Sequence, residues 1–334
     1  MDFERLNWTV LDRLRATFLG GDFAGGPYWR EPGDLAQYDQ TFGERIGWKW
    51  DAVLRELRRR GWVPPAGPLV DWGCGSGVAG RRVMAALGEG RFTEAWLADQ
   101  ASLAVDHARR AWSARWPGVP AREGCPAGGP FTLVISHVWN ELAPAGRESL
   151  LARIRDAAAV LWVEPGTPEA GRALQAVRDS RPEGFAVVAP CPHQAPCGLL
   201  QPGQERHWCH HFADPPPEVF TSGDWTRFAA RAGIDLRALP FSFLVLERRP
   251  RAGEPPTPPG THRILGRPRV HKGWASVFAC GPDGVEECRV SRRHCPALYR
   301  ALDKGHFSPL QQWKREAGEV LEAREWPPPP AVEA

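Results

Sequence analysis

Apolar residues recur at helical spacing through the first part of the chain. Phe3, Leu6, Val10, Leu14 and Phe18 lie three or four apart, and Gly20-Gly21 ends the run. A second set, Leu35, Tyr38, Phe42, Ile46, Trp50, Val53, Leu54 and Leu57, runs into Arg58-Arg59-Arg60-Gly61. Cations at a helix carboxyl end, followed by glycine, are a stop signal. Residues 1–63 are therefore expected to be a helical region that caps a core. From 64 the pattern changes to short apolar runs alternating with amphipathic segments. It predicts strands at 67–71, 94–99, 131–137 and 159–164, and helices at 78–88, 102–112, 144–158 and 168–178. That alternation means an α/β domain with a parallel sheet and helices on both faces. Pro117, Pro120, Pro126 and Pro130 leave any strand between 113 and 130 short or irregular.

The α/β domain is expected to run over 64–247, closing with a helix at 224–232 and a strand at 240–247. A cysteine-rich insert at 185–213 interrupts it. Residues 248–262 read as a Pro/Arg linker. Residues 263–326 read as a small β-rich unit. It carries a short strand at 263–267, a hairpin around Gly281-Pro-Asp-Gly284 and a last helix at 309–324. Residues 327–334 read as a frayed tail.

Composition changes this picture in two places. The net charge of +3 over 334 residues is only mildly basic, so nucleic-acid affinity must come from local patches. No apolar run is long enough to span a bilayer, and Met1-Asp-Phe-Glu-Arg does not begin a secretory leader. A cytoplasmic location is expected, with no membrane partner. In such a compartment, eight cysteines argue for metal or cluster binding over disulfides.

Candidate chemistry starts at Pro68-Leu-Val-Asp71-Trp-Gly73-Cys-Gly75-Ser-Gly77, a strand, a tight glycine loop and the start of a helix. Glycine lets the loop turn sharply and lets a ligand approach closely. Gly75-x-Gly77-x-x-Gly80 also satisfies the dinucleotide fingerprint, which keeps an NAD-linked oxidoreductase open. Asp71 argues against it, because a carboxylate at the loop repels a pyrophosphate. It suits S-adenosylmethionine, whose amino and sulfonium groups are positive. The stretch resembles motif I of class I methyltransferases, with Asp71, Gly73, Gly75 and Gly77 in the motif's places. Asp99 ends the next strand, where a carboxylate could hold ribose hydroxyls, and Gln100 follows it as a further cofactor contact. Asn140 and Glu141, after the strand at 131–137, are candidate catalytic residues, and Glu164 ends the following strand.

Cys191, Cys197 and Cys209 lie within nineteen residues, in a Pro- and Gly-rich stretch that buries little core and needs a staple. A fourth ligand must come from elsewhere, with Cys280, Cys288 and Cys295 as candidates. Zinc pairs are usually closer in sequence than Cys191 and Cys197. Loose thiolate spacing suits an iron–sulfur cluster, while His193, His207, His210 and His211 keep zinc open.

Several motifs then line up in order. They are Val70-Asp71-Trp-Gly73-Cys-Gly75-Ser-Gly77, Val138-Trp-Asn140-Glu141-Leu142 and Glu164-Pro-Gly-Thr-Pro168. Cys191-Pro-His-x-x-x-Cys197, Trp208-Cys209-His210 and Gly266-Arg-Pro-Arg269-x-x-Lys272-Gly273 follow, with Cys280-x-Pro-Asp-Gly and Val290-Ser-Arg-Arg293. The set resembles the Rsm-type, small-ribosomal-subunit methyltransferase-like family of mitochondria and bacteria. The resemblance implies a Rossmann-like class I methyltransferase fold and an S-adenosylmethionine pocket. It also implies a [4Fe–4S] cluster on Cys191, Cys197, Cys209 and Cys280, and work on the small ribosomal subunit and its rRNA. That work is either rRNA methylation or non-catalytic assembly. Arg263, Arg267, Arg269, Lys272, Arg292 and Arg293 are the expected RNA contacts, within a basic stretch that also holds Arg248, Arg249 and Arg251. One departure is Phe212-Ala-Asp-Pro-Pro-Pro-Glu218, where the family carries a basic helix.

Overall fold

The structure, a computed structural model, describes residues 1–20, 28–249 and 257–328. They fall into two compact units, Met1–Pro165 with Phe212–Phe241, and Gly166–His211 with Ser242–Ala334. Gly21 of the first stop signal, Arg251 and Glu254 of the expected linker, and residues 329–334 of the expected tail lie outside the described residues.

Among the described residues of the first unit, α1 (Trp8–Gly20), α2 (Pro32–Tyr38) and α3 (Glu44–Arg59) precede the sheet. The long second helix read from the apolar spacing is divided, because a π-helical turn at Asp39–Gly43 separates α2 from α3. Trp48, Trp50, Val53, Leu54 and Leu57 form the buried stripe of α3. The alternating part follows as β1 (Gly67–Trp72), α4 (Val78–Leu87), β2 (Phe92–Ala98), α5 (Ser102–Arg115), β3 (Ala121–Glu123), β4 (Thr132–Ser136), α6 (Pro144–Asp156) and β5 (Ala159–Pro165). These strands are parallel and pair in the order β3-β2-β1-β4-β5. Interior positions of β4 and β5 are apolar on both faces, as a strand covered on both sides requires: Leu133, Val134, Ile135, Val160 and Leu161 are all buried. β3 is only three residues long, in keeping with its flanking prolines.

The strand order reverses between β1 and β4, which opens a crevice beyond their carboxyl ends, the usual ligand position in such a sheet. A mixed α/β fold with β1 central and helices in the β1–β2, β2–β3 and β4–β5 connections resembles a class I methyltransferase core.

The second unit opens with α7 (Pro168–Asp179) and β6 (Phe185–Ala189). The expected insert at 185–213 is thereby corrected. Its first residues are a buried strand, Phe185-Ala-Val-Val-Ala189. Only 190–210 is loop, with one short 3-10 turn, before β7 (His211–Ala213). The chain then returns to the first unit for α8 (Glu218–Thr221) and α9 (Gly223–Ala232), and β8 (Leu239–Arg248) leads back to the second. β6 pairs antiparallel with β8, from Phe185 opposite Arg248 to Ala189 opposite Val245.

Among the described residues, the second unit continues with β9 (Thr261–His271), β10 (Trp274–Gly281), β11 (Gly284–Ser291), α10 (Pro296–Lys304), β12 (Leu310–Glu316) and β13 (Glu319–Glu325). The hairpin around Gly281–Gly284 is present as expected. The last helix, expected at 309–324, is instead the β12–β13 hairpin. Leu310, Gln311 and Trp313 are buried there, and the strands close a barrel in the order β10-β11-β13-β12-β9. Pairing with β9 and β11 outweighed the local helical pattern. Cys288 and Cys295 pack inside this barrel with Val277, Val290, Leu298 and Val320.

Candidate functional site

The first candidate site is the turn from β1 into α4. Gly73, Gly75 and Gly77 have φ of 68°, 50° and 78°, which glycine adopts without strain. Packing also demands two of them. A Cβ on Gly73 would lie 2.5 Å from Val138 Cγ1, and one on Gly77 would lie 2.7 Å from Ala108 Cβ. A Cβ on Gly75 would meet nothing within 4 Å. Gly75 therefore borders open space. Its N–H donates to Asp99 Oδ2 at 2.9 Å, and Asp99 Oδ1 accepts from Ala101 N–H at 2.9 Å. With a further backbone bond from Gln100 N–H, the carboxylate keeps at least one lone pair for a hydroxyl donor. Gln100 is exposed beside it.

Asp71 does a different job from the one expected. It is wholly buried, and its Oδ2 accepts from Gly80 N–H at 2.9 Å, tying the end of β1 to the first turn of α4. A Cβ on Gly80 would come within 2.6 Å of that oxygen. Burial pushes the Asp71 carboxyl up to about 7. The direct attraction to a positive cofactor read from the sequence is replaced by support of the loop.

The ends of β4 and β5 carry a second group of polar residues. Glu164 is wholly buried, and its Oε1 accepts from Val138 N–H, Trp139 N–H and Trp162 Nε1–H at 3.2, 3.1 and 2.7 Å. It thus holds the segment that bears the two expected catalytic residues. Asn140 is exposed. Glu141 Oε2 accepts from Tyr28 Oη–H at 3.5 Å. Burial, with Asp99 and Glu164 nearby, pushes the Glu141 carboxyl up to about 8. Behind them Lys49 Nζ lies 3.1 Å from His137 Nε2, and His137 has φ of 56°. Burial, then Arg45, pulls Lys49 down to about 7. The motifs passed over Lys49, His137 and Tyr28. The available signal was Lys49 itself, a lysine on the apolar stripe between Ile46 and Val53.

The second candidate site is in the other unit. Cys191, Cys197, Cys209 and Cys280 line one cavity of about 30 Å³, with Leu174, Leu199, Phe243 and Leu265 among the apolar walls. Side chains hold its loops. Asp179 accepts from Cys197 N–H at 2.9 Å, Arg178 donates to His193 O at 3.0 Å, and Arg263 donates to Pro190 O at 2.7 Å. Gln175 Nε2 lies 3.5 Å from Cys197 Sγ, and His193 Nε2 lies 3.4 Å from Cys280 Sγ. Burial, then the neighbouring Cys191, raises the thiols of Cys209 and Cys280, whereas Arg263 lowers both. Four thiols and two guanidiniums, Arg178 and Arg263, therefore line one cavity. Among the described residues, no three His, Cys, Asp or Glu side chains converge tightly enough to hold a single metal ion.

The expected RNA contacts divide. Arg267, Arg269, Lys272, Arg292 and Arg293 are exposed. Arg263 is corrected: it is 2% exposed and lines the cysteine cavity, so its charge does not reach a surface ligand.

Comparisons with known proteins add the following. A family model described as "Mitochondrial small ribosomal subunit Rsm22" matches residues 107–307, more than half of the chain. That description overturns the cytoplasmic location expected from the sequence. No curated protein matches. Similar solved structures include an rRNA methylase from Escherichia coli, at 11% identity over 73% of this chain and 78% of that one, with a TM-score of 0.37. Another is the magnesium protoporphyrin IX methyltransferase from Synechocystis PCC 6803, at 12% identity over 73% of this chain and 98% of that one, also with a TM-score of 0.37. Among the described residues no helix is long and apolar enough to cross a membrane.

Proposed function

The chain belongs to the Rsm22 family, and from that premise we propose that it is an S-adenosylmethionine-binding, methyltransferase-like factor of the small ribosomal subunit that carries a [4Fe–4S] cluster. The observation that carries the cofactor reading is the open space at Gly75 beside Asp99. Asp99 takes the ribose hydroxyls, Gly73, Gly75 and Gly77 let the cofactor approach the backbone, and Asp71 keeps the loop in shape. The cofactor supplies an already activated methyl group, so the protein's work is placement of an acceptor. Glu164 fixes the segment from which Asn140 and Glu141 act.

The four thiols fit a cluster better than a single zinc ion. Zinc draws four ligands to bonds of about 2.0–2.3 Å around one point, whereas a four-iron cube spreads its thiolates around a larger body. Cys191, Cys197, Cys209 and Cys280 would hold it, with Arg178 and Arg263 offsetting the negative charge. The cluster would staple loops that have little regular structure of their own.

A second reading, non-catalytic assembly, is favoured by Glu141. A carboxyl held up to about 8 is protonated at neutral pH and is a poor proton acceptor. Calorimetric titration with S-adenosylhomocysteine tests the cofactor site, and absence of binding overturns it. Labelled methyl transfer to small-subunit rRNA separates the two readings: incorporation favours the enzyme, and binding without incorporation favours the assembly factor.

A further inference from the structure

We propose that the outer face of the barrel, where β9, β10 and β11 lie side by side, binds single-stranded RNA by stacking bases on the row formed by His271, Trp274 and Arg289. The proposal deepens the ribosomal reading and rests on it for the choice of RNA as the nucleic acid.

Topology is the first ground. Counted along the chain, the barrel strands neighbour one another as first, second, third, fifth, fourth and back to first. The third and fifth run parallel, and a helix joins the third to the fourth. That is the arrangement of an OB-fold, whose second and third strands present a face for oligonucleotides. Here those strands are β10 and β11.

Side-chain alternation then selects the residues on that face. Ala275, Val277 and Ala279 point into the barrel core, so Trp274, Ser276, Phe278 and Cys280 point outward. One half of the face is covered: His207 packs on Phe278 with ring centroids 4.6 Å apart, and Cys280 lines the cysteine cavity. The other half is open and carries a row of flat groups. His271 stacks on Trp274 at 4.2 Å with an interplanar angle of 18°, and the Arg289 guanidinium lies 4.7 Å from the Trp274 ring centre. His271 and Trp274 are opposed in register on β9 and β10. Such a row accepts any base that is free to leave its neighbours, and a paired base is not.

Charge points to the same ligand. Arg267 and Lys272 are exposed on β9 and its turn, and Arg292 N–H donates to Gly273 O at 2.9 Å, which brings Arg292 to that turn. Glu287 is taken up by Arg269 and Ser276, and Glu319 by His294. Large apolar side chains are scarce on this face, which disfavours a protein partner.

The test uses the full chain and a labelled mixed-sequence 12-nucleotide RNA, alone or annealed to its complement, read by fluorescence anisotropy. The expected result is tighter binding of the single strand. Trp274→Ala should weaken it roughly five- to 150-fold, the range for loss of one stacked base, and Trp274→Phe should restore most of it. Arg267→Ala should lower the salt dependence by about one ion. Equal binding of single strand and duplex, or unchanged binding by Trp274→Ala in protein with an unchanged melting temperature, overturns the proposal. S-adenosylhomocysteine binding is measured on the same samples. RNA binding lost with cofactor binding kept overturns this inference alone, and the reverse overturns only the methyltransferase-like reading.

Discussion

The glycine-loop site and the cysteine cavity are built in opposite ways. The first sits on regular elements: β1, α4 and β2 position Gly75 and Asp99, and backbone hydrogen bonds set the distance between them. The second has three of its four thiols on the loop between β6 and β7, held by side chains reaching to backbone groups. A scaffold of paired strands keeps its shape without a ligand. A loop held by scattered side-chain bonds gains much more from a ligand that ties it together. The first site should therefore tolerate loss of its ligand, and the second should not.

The largest expected effect is on the cavity. Cys197→Ser in protein purified without oxygen should abolish iron and sulfide binding and speed proteolysis within 190–210, since structural metal sites are worth on the order of 10 kcal/mol. Wild-type protein without iron or sulfide, yet resistant in that loop, would show that the loop needs no ligand to hold its shape.

Next comes the buried carboxyl of Glu164. Burial raises it from an ordinary 4.5 to about 7. The stability it contributes is full below about 4.5 and is lost as pH rises through about 7, by about 3 kcal/mol. Asp71 acts in the same direction. Lys49, lowered from 10.5 to about 7, acts oppositely, and its contribution grows as pH rises from about 7 to 10.5. Urea midpoints at pH 5 and 7.5 should differ less in Glu164→Gln than in the wild type, and an unaltered difference would count against this account.

Asp99→Ala should weaken S-adenosylhomocysteine binding by about 10- to 100-fold, the range for a hydrogen bond to a charged group, with the unit still folded. Unchanged affinity in a calorimetric titration would remove Asp99 from the site. The smallest effect is Ser242→Ala. Ser242 Oγ donates to Cys209 O at 2.7 Å, and its loss should cost about 1 kcal/mol in a denaturant melt.

Much of the first site was legible because its chemistry is local. Gly73, Gly75, Gly77 and Asp99 belong to one β-α-β run, and the apolar pattern placed its strands within a few residues. Asp71 was found but given another role, because only the fold shows that its carboxylate turns to Gly80 N–H. Lys49 and His137 were missed because they lie 88 residues apart and form a pair only when α3 and the end of β4 come together. The four cysteines were named through a family resemblance, and spacing alone left the fourth open.

The alternation of strands and helices, the glycine turn and the hairpin at 281–284 follow from residues close together in the chain. Long-range packing set the remaining features. It turned the expected helix at 309–324 into β12 and β13, which pair with β9 and β11 and so close the barrel. It buried Arg263 in the cysteine cavity while leaving Arg267 exposed four residues later on the same strand. Burial depends on what packs against a strand, and those partners come from far along the chain.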